Sequence, residues 1–201
     1  IAYVVSILYK IFISDHDKRY LREVFSLYLS PNVIDVLTQT EKVPELGGEK
    51  RHLTILFSDI ENFSGLSEGM EPTELVQIMN EYLSAMTEII EQSGGFVDKY
   101  IGDAIVAVFG APHYDESHAL NAIKAAIECR DRLLSMGTIR GKQLRARIGV
   151  NTGSVIIGNI GSPKRFNYTV MGDAVNLAQR LEAANKLYRT QILTAKATTI
   201  E

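Results

Sequence analysis

The sequence predicts an α+β fold, a ferredoxin-like split βαβ sheet with an N-terminal helical linker. Three observations point to it. Runs of β-formers at 52–60, 96–101 and 104–109 alternate with segments of helical period. The order strand, helix, hairpin, helix, strands is that of a split βαβ unit. The 201 residues, 46% hydrophobic and 22% charged, suit one ordinary domain with a short appendage.

Residues 1–13 (IAYVVSILYKIFI) are apolar but broken by Ser6 and Lys10, and are shorter than the roughly 20 residues of a bilayer span. They read as the cytoplasmic end of a transmembrane helix, which predicts the cytoplasmic domain of an inner-membrane protein; the alternative is a helix packed on a partner. Residues 14–50 read as a helical transducing element and linker. Ser30-Pro31 marks the start of a second helical piece, and Pro44, Gly47 and Gly48 mark the linker. The globular domain is expected over 51–201.

His52 to Ile60 is a short apolar strand. Pro72 opens a helix with one apolar face (Leu75, Met79, Tyr82, Met86, Ile89 and Ile90 among others), and Gly94 is placed to end it. Phe96–Ile101 and Ala104–Phe109 flank Gly102-Asp103, a hairpin turn. A helix is expected from Ser117 to Met136. Leu144–Val150 and Val155–Ile160 follow as β-segments, with Asn151-Thr152-Gly153 as the turn between them. A helix from Asp173 to Lys186 and an extended piece at 191–194 close the chain. The helices leave one sheet face in need of a partner or a ligand.

Composition excludes several classes. A net charge of −3 gives no basic field for nucleic acid. Cys129, the single cysteine, excludes a disulfide framework and fits an apolar core pattern. His16, His52, His113 and His118 lack zinc spacing and read as solvated loop residues. Gly137 to Gln143 falls one residue short of a phosphate-binding P-loop and lacks its final hydroxyl.

Asp59 ends the first strand and Asp103 sits in the hairpin turn. If the two strands are neighbours, both carboxylates reach one point, a pairing suited to magnesium with substrate phosphates. Aspartate is also common at turns for purely structural reasons. The tight stretch Ile60-Glu61-Asn62-Phe63-Ser64 can turn backbone amides toward phosphate. Asn176 and Arg180, four apart, share a helix face; on spacing alone they read as solvated.

Together, LFSDIENFS (56–64), FVDKYIGDAIVAVFGAP (96–112), RIGVNTG (147–153) and YTVMGDAVNLAQRLE (168–182) resemble the catalytic domain of class III adenylyl cyclases. The resemblance covers Arg51 to the end. FSLYLSPNVIDVL (25–37) is similar to the helical element that joins membrane or sensor regions to such domains in bacteria. The resemblance implies Asp59 and Asp103 as ligands of two magnesium or manganese ions, and Lys99 and Thr169 as the purine-selecting pair. Asn176 and Arg180 would orient the ribose and steady the transition state. The amides of Ile60, Glu61, Asn62, Phe63 and Ser64 would hold the β- and γ-phosphates, with Arg147 a further phosphate contact. It also implies a head-to-tail homodimer, each site taking its aspartates from one chain and Lys99, Thr169, Asn176 and Arg180 from the other. Family members continue beyond the position of Glu201 through strands carrying another phosphate-binding lysine.

Adenine presents an acceptor at N1 and a donor at N6, which match a donor-only lysine and an accepting threonine hydroxyl. Guanine reverses both and would need a carboxylate at position 99. ATP is thus the expected substrate, converted to cyclic AMP and pyrophosphate by in-line attack of the ribose 3′-oxygen on the α-phosphorus. The competing reading is a silent cyclase-like domain that binds nucleotide or only dimerises. Against it, Asp59, Asp103 and Arg180 are all present.

Overall fold

The computed structural model describes residues 19–27, 29–39, 44–139 and 142–200. They belong to two compact units, one ending at Pro44 and the other starting at Glu45. The apolar segment 1–13 and His16 lie outside the described residues. Among those described, no helix is long and apolar enough to cross a membrane.

The first unit is helical over 19–26 and again in α1 (Pro31–Gln39). The break falls at Ser30-Pro31, where the Ser30 carbonyl accepts the amides of Val33 and Ile34. Proline has no amide to lose at this position and its ring presets the helical φ. Val33 and Ile34 are buried, and the Arg22 guanidinium pairs with Asp35.

The second unit runs β1 (Gly47–Ile60), α2 (Phe63–Ser67), α3 (Pro72–Gln92), β2 (Gly95–Ile101), β3 (Ala104–Phe109), α4 (His118–Ser135), then a two-residue pair β4 (Thr138–Ile139) and β5 (Lys142–Gln143). It continues through β6 (Ala146–Ser162), β7 (Arg165–Met171), α5 (Asp173–Tyr188), β8 (Ile192–Thr194) and α6 (Lys196–Ile200). The main sheet has the order β2-β3-β1-β6-β7, with β8 also paired to β6. β1 is antiparallel to both β3 and β6, which is the split βαβ arrangement.

α3 and α4 cover one face. Leu56 and Ile60 of β1, Ile105, Ala107 and Phe109 of β3, and Ile148 and Val150 of β6 meet Tyr82, Met86 and Ile90 of α3 and Ala122, Ala126 and Cys129 of α4. Cys129 is thus a core residue, as its apolar neighbours imply. Because strand side chains alternate, Leu53, Ile55 and Phe57 face the other way, yet they too are buried. The second face is therefore partly covered by the chain itself. α5 packs there so closely that a Cβ on Gly149 would overlap Ala178 O and Glu182 N.

Four expectations need correction. β1 begins at Gly47, inside the stretch read as linker, because residues 47–50 pair with 156–159 of β6. Asn151-Thr152-Gly153 is no turn: β6 passes straight through, its three residues opposite Ile55, Thr54 and Leu53. Gly153 serves close approach instead, since a Cβ there would stand 2.9 Å from Ala174 Cβ of α5. β7 was not foreseen, nor was α2 within the segment before Pro72. Finally, His118 is buried, its Nδ1 2.7 Å from Thr54 Oγ1; His113 and His52 are exposed.

Candidate active site

Two carboxylates meet where β1 ends. Asp59 stands opposite Arg147 in the β1–β6 register, on the face that α5 covers. Arg147 Nη2 donates to Asp59 Oδ2 at 2.9 Å. Its Nε lies 3.0 Å from Glu182 Oε1 of α5, an ion pair whose geometry falls short of a hydrogen bond. Asp103 follows Gly102, whose φ of 64° turns the chain from β2 into β3. Asp103 Oδ2 accepts the Ile60 amide at 3.2 Å.

Burial, and then the hydrogen bond and negative charge of Asp59, push the Asp103 carboxyl up to about 6; the Ile60 amide opposes them. Burial likewise raises Glu182, against the pull of Arg147. A carboxyl whose ionisation is disfavoured by a neighbouring carboxylate marks a place that favours added positive charge. The donors there are hard oxygens, the set that magnesium and manganese take. Among the described residues no group of three or more His, Cys, Asp or Glu is placed to hold a metal, so the two carboxylates fit such an ion only with phosphate oxygens completing its set.

Arg147, expected to meet phosphate, is engaged by two carboxylates of its own chain. Glu182 was not singled out from sequence; helical spacing from Ala178 was the available signal for its inward face. Of the five amides expected at phosphate, Ile60 is bound to Asp103 and Glu61 donates to Arg145 O at 2.8 Å. Asn62 adopts a left-handed conformation (φ 58°, ψ 36°) and opens α2, leaving the Phe63 and Ser64 amides in a first turn without intrahelical acceptors.

A second cluster forms between strands at opposite ends of the sheet order. Lys99 Nζ of β2 donates to Thr169 Oγ1 of β7 at 2.9 Å, and Phe96 and Tyr168 rings lie 6.1 Å apart beside them. The sheet curls until its edges touch. Thr169 in turn donates to Asp98 Oδ2 at 2.9 Å, and Lys99 Nζ lies 3.2 Å from the same oxygen.

A β-bulge makes this possible. Val97 is opposite Ala107 and Lys99 opposite Val106, so Asp98 is the extra residue. Without it Lys99 would share the face of Val97, which packs against the α3/α4 core. The bulge turns both Asp98 and Lys99 to the other face. Burial raises the Asp98 carboxyl, opposed by the Thr169 hydroxyl and the Lys99 charge.

On α5 the inward positions are Ala178, Glu182 and Asn185. Asn176 and Arg180 are exposed and point away from this packing. Arg180 Nη2 donates to Asp173 Oδ1 at 2.9 Å and its Nε to Asn176 O at 3.4 Å. Within one chain, Asn176 and Arg180 are not brought to Asp59 and Asp103.

Residues 48–199 match the model of the adenylate and guanylate cyclase catalytic domain. The chain belongs to that family, and the fold described above is that of a class III cyclase domain. Among curated relatives, an adenylate cyclase of Anabaena cylindrica is 35% identical over 182 residues, 89% of this chain and 35% of the relative. A terminal-differentiation-specific adenylate cyclase of Dictyostelium discoideum is 41% identical over 74% of this chain and 7% of its own length. The chain thus spans about a third or less of these relatives.

Among solved structures, a bacterial light-regulated adenylyl cyclase superposes with a TM-score of 0.80 at 28% identity, covering 95% of this chain and 56% of that one. The guanylyl cyclase Cya2 superposes with a TM-score of 0.64 at 37% identity, over 77% of this chain and 80% of that one. Both nucleotide specificities occur among the similar folds. The choice of base must be argued from the residues.

Proposed function

We propose that this domain is an adenylate cyclase, forming 3′,5′-cyclic AMP and pyrophosphate from ATP at sites shared by two copies of the chain. The observation that carries the base assignment is the Lys99–Thr169 hydrogen bond, which sets a donor and an acceptor side by side. Adenine N1 and N6 match that pair, and guanine opposes it at both positions.

Asp59 and Asp103 would hold the divalent ions, which supply a lowered pKa at the ribose 3′-hydroxyl and charge stabilisation at the phosphates. The chain's own residues do the rest. The first turn of α2 offers amides to the phosphate oxygens. Arg147, held by Asp59 and Glu182, would meet further phosphate charge. Asn176 orients the ribose, and Arg180 neutralises charge growing on the α-phosphoryl group.

The outward direction of Asn176 and Arg180 supports the shared site, since neither is brought to Asp59 and Asp103 of its own chain. Attachment of the domain to a membrane through residues preceding 14 belongs to the same reading, with FSLYLSPNVIDVL (25–37) as the coupling element. The test is cyclic product formation from ATP and, in parallel, GTP, with Mn²⁺ and with Mg²⁺, across protein concentrations. Cyclic AMP with specific activity rising with concentration is expected. A folded dimer giving no cyclic product from either nucleotide would establish a silent domain instead.

A further inference from the structure

The purine-selecting pair rests on a third residue. Asp98 is buried to 1% side-chain exposure, directly beneath Lys99 and Thr169. Its Oδ2 accepts the Thr169 hydroxyl and lies 3.2 Å from the Lys99 ammonium, while its Oδ1 has no hydrogen-bond partner among the described residues. Burying a carboxylate in this way is costly, and the β-bulge that brings it there costs a ladder position as well.

Counting protons shows what the arrangement does. A threonine hydroxyl has one proton and two lone pairs. Its proton is committed to Asp98 and one lone pair to Lys99, so toward a ligand it can only accept. A lysine ammonium has three protons; one goes to Thr169, and the ion pair with Asp98 holds the group in place while it keeps protons to donate. Without the carboxylate the hydroxyl could rotate and donate to O6 of a 6-oxo purine, removing one of the two mismatches while Lys99 still opposes N1–H.

We propose that Asp98 is a positioning residue that fixes Thr169 as an acceptor and thereby strengthens the preference for a 6-amino over a 6-oxo purine at that position. This rests on Lys99 and Thr169 being the base-reading pair. Asp98 does not touch the base; it acts through Thr169 and Lys99.

The test compares kcat/KM for ATP with that for inosine triphosphate, which differs at N1 and position 6 without adding a 2-amino group. Wild type, Asp98→Ala, Asp98→Val and Asp98→Asn are measured, with folding checked by thermal unfolding. The ATP preference is expected to fall about tenfold or more in Asp98→Ala and Asp98→Val, largely through KM, since a buried polar mismatch is relieved. Asp98→Asn keeps a carbonyl acceptor and should retain most of the preference. Either apolar variant decides, so the failure of one to fold leaves the other. Equal losses for both nucleotides in a folded apolar variant would overturn the proposal, as would a collapse in Asn equal to that in Ala. A wild type that prefers inosine or guanosine triphosphate would instead sink the reading of the pair itself.

Discussion

Arg147 and Asp59 face each other across β1 and β6, joined at 2.9 Å, while Glu182 holds the same guanidinium from α5. One cation thus serves two acids, and Asp103 crowds the first of them. The centre carries more negative than positive charge before any ligand arrives.

Removing the cation should expose that imbalance. Arg147→Ala is expected to lower stability at neutral pH by about 1–2 kcal/mol, since the site is only partly buried. Arg147→Lys should recover part of the loss, as charge without the fork geometry. Urea unfolding midpoints at matched m-values check it; equal stability for Ala and wild type would show that the ion pairs contribute nothing.

Asp103 makes a prediction in pH. Its carboxyl rises on folding from 3.8 to about 6, so the folded state binds the proton more tightly than the unfolded one. Stability should therefore fall as pH climbs between those values and stay lower above them. Asp103→Asn removes the penalty and keeps an acceptor for the Ile60 amide. At pH 7.5 it should be more stable than wild type by about 1 kcal/mol after solvent screening, and indistinguishable near pH 3. Mn²⁺ should raise the Tm of wild type and not of the variant. An Asn variant less stable than wild type at pH 7.5 would contradict the crowding of the two carboxylates.

Gly149 carries the packing of α5. Gly149→Ala forces the helix away from Ala178 O and Glu182 N and should cost about 3 kcal/mol, with loss of turnover because Arg180 and Asn176 ride on that helix. Thermal unfolding and product formation should decline together. A variant with wild-type stability would mean that α5 can shift freely.

Complementation tests the shared site. Asp59→Ala and Arg180→Ala should each be inactive alone. Mixed in equal amounts, half the dimers pair one of each and regain one of two sites, giving about a quarter of wild-type activity. No recovery in a mixture shown to exchange subunits would place both residues in a site within one chain.

Much of this was legible in the sequence because it depends on local period. Tyr82, Met86 and Ile90 recur at helical spacing, and Gly102-Asp103 between two apolar runs is a strong local hairpin signal. Asn151-Thr152-Gly153 was misread because its residue types favour turns; what overrides them is pairing with β1 along the whole of a strand that α5 presses against. Thr54 and His118 found each other across 64 positions, which no local pattern encodes. The bulge at Asp98 is likewise a property of register against β3. Its role was hidden because an aspartate beside a lysine reads as an ordinary surface pair until burial is known.

The curl of the sheet has a kinetic consequence. Lys99 and Thr169 are 70 positions apart and sit on strands at opposite ends of the order. Their contact carries a large loop-closure cost and is met only after β1, β3 and β6 have found their register. The α3/α4 core needs none of β7. A chain that has paired β1, β3 and β6 can therefore condense most of that hydrophobic centre before the Lys99–Thr169 contact forms. On the proposed role of the pair, base selection waits on a long-range contact that local structure cannot supply.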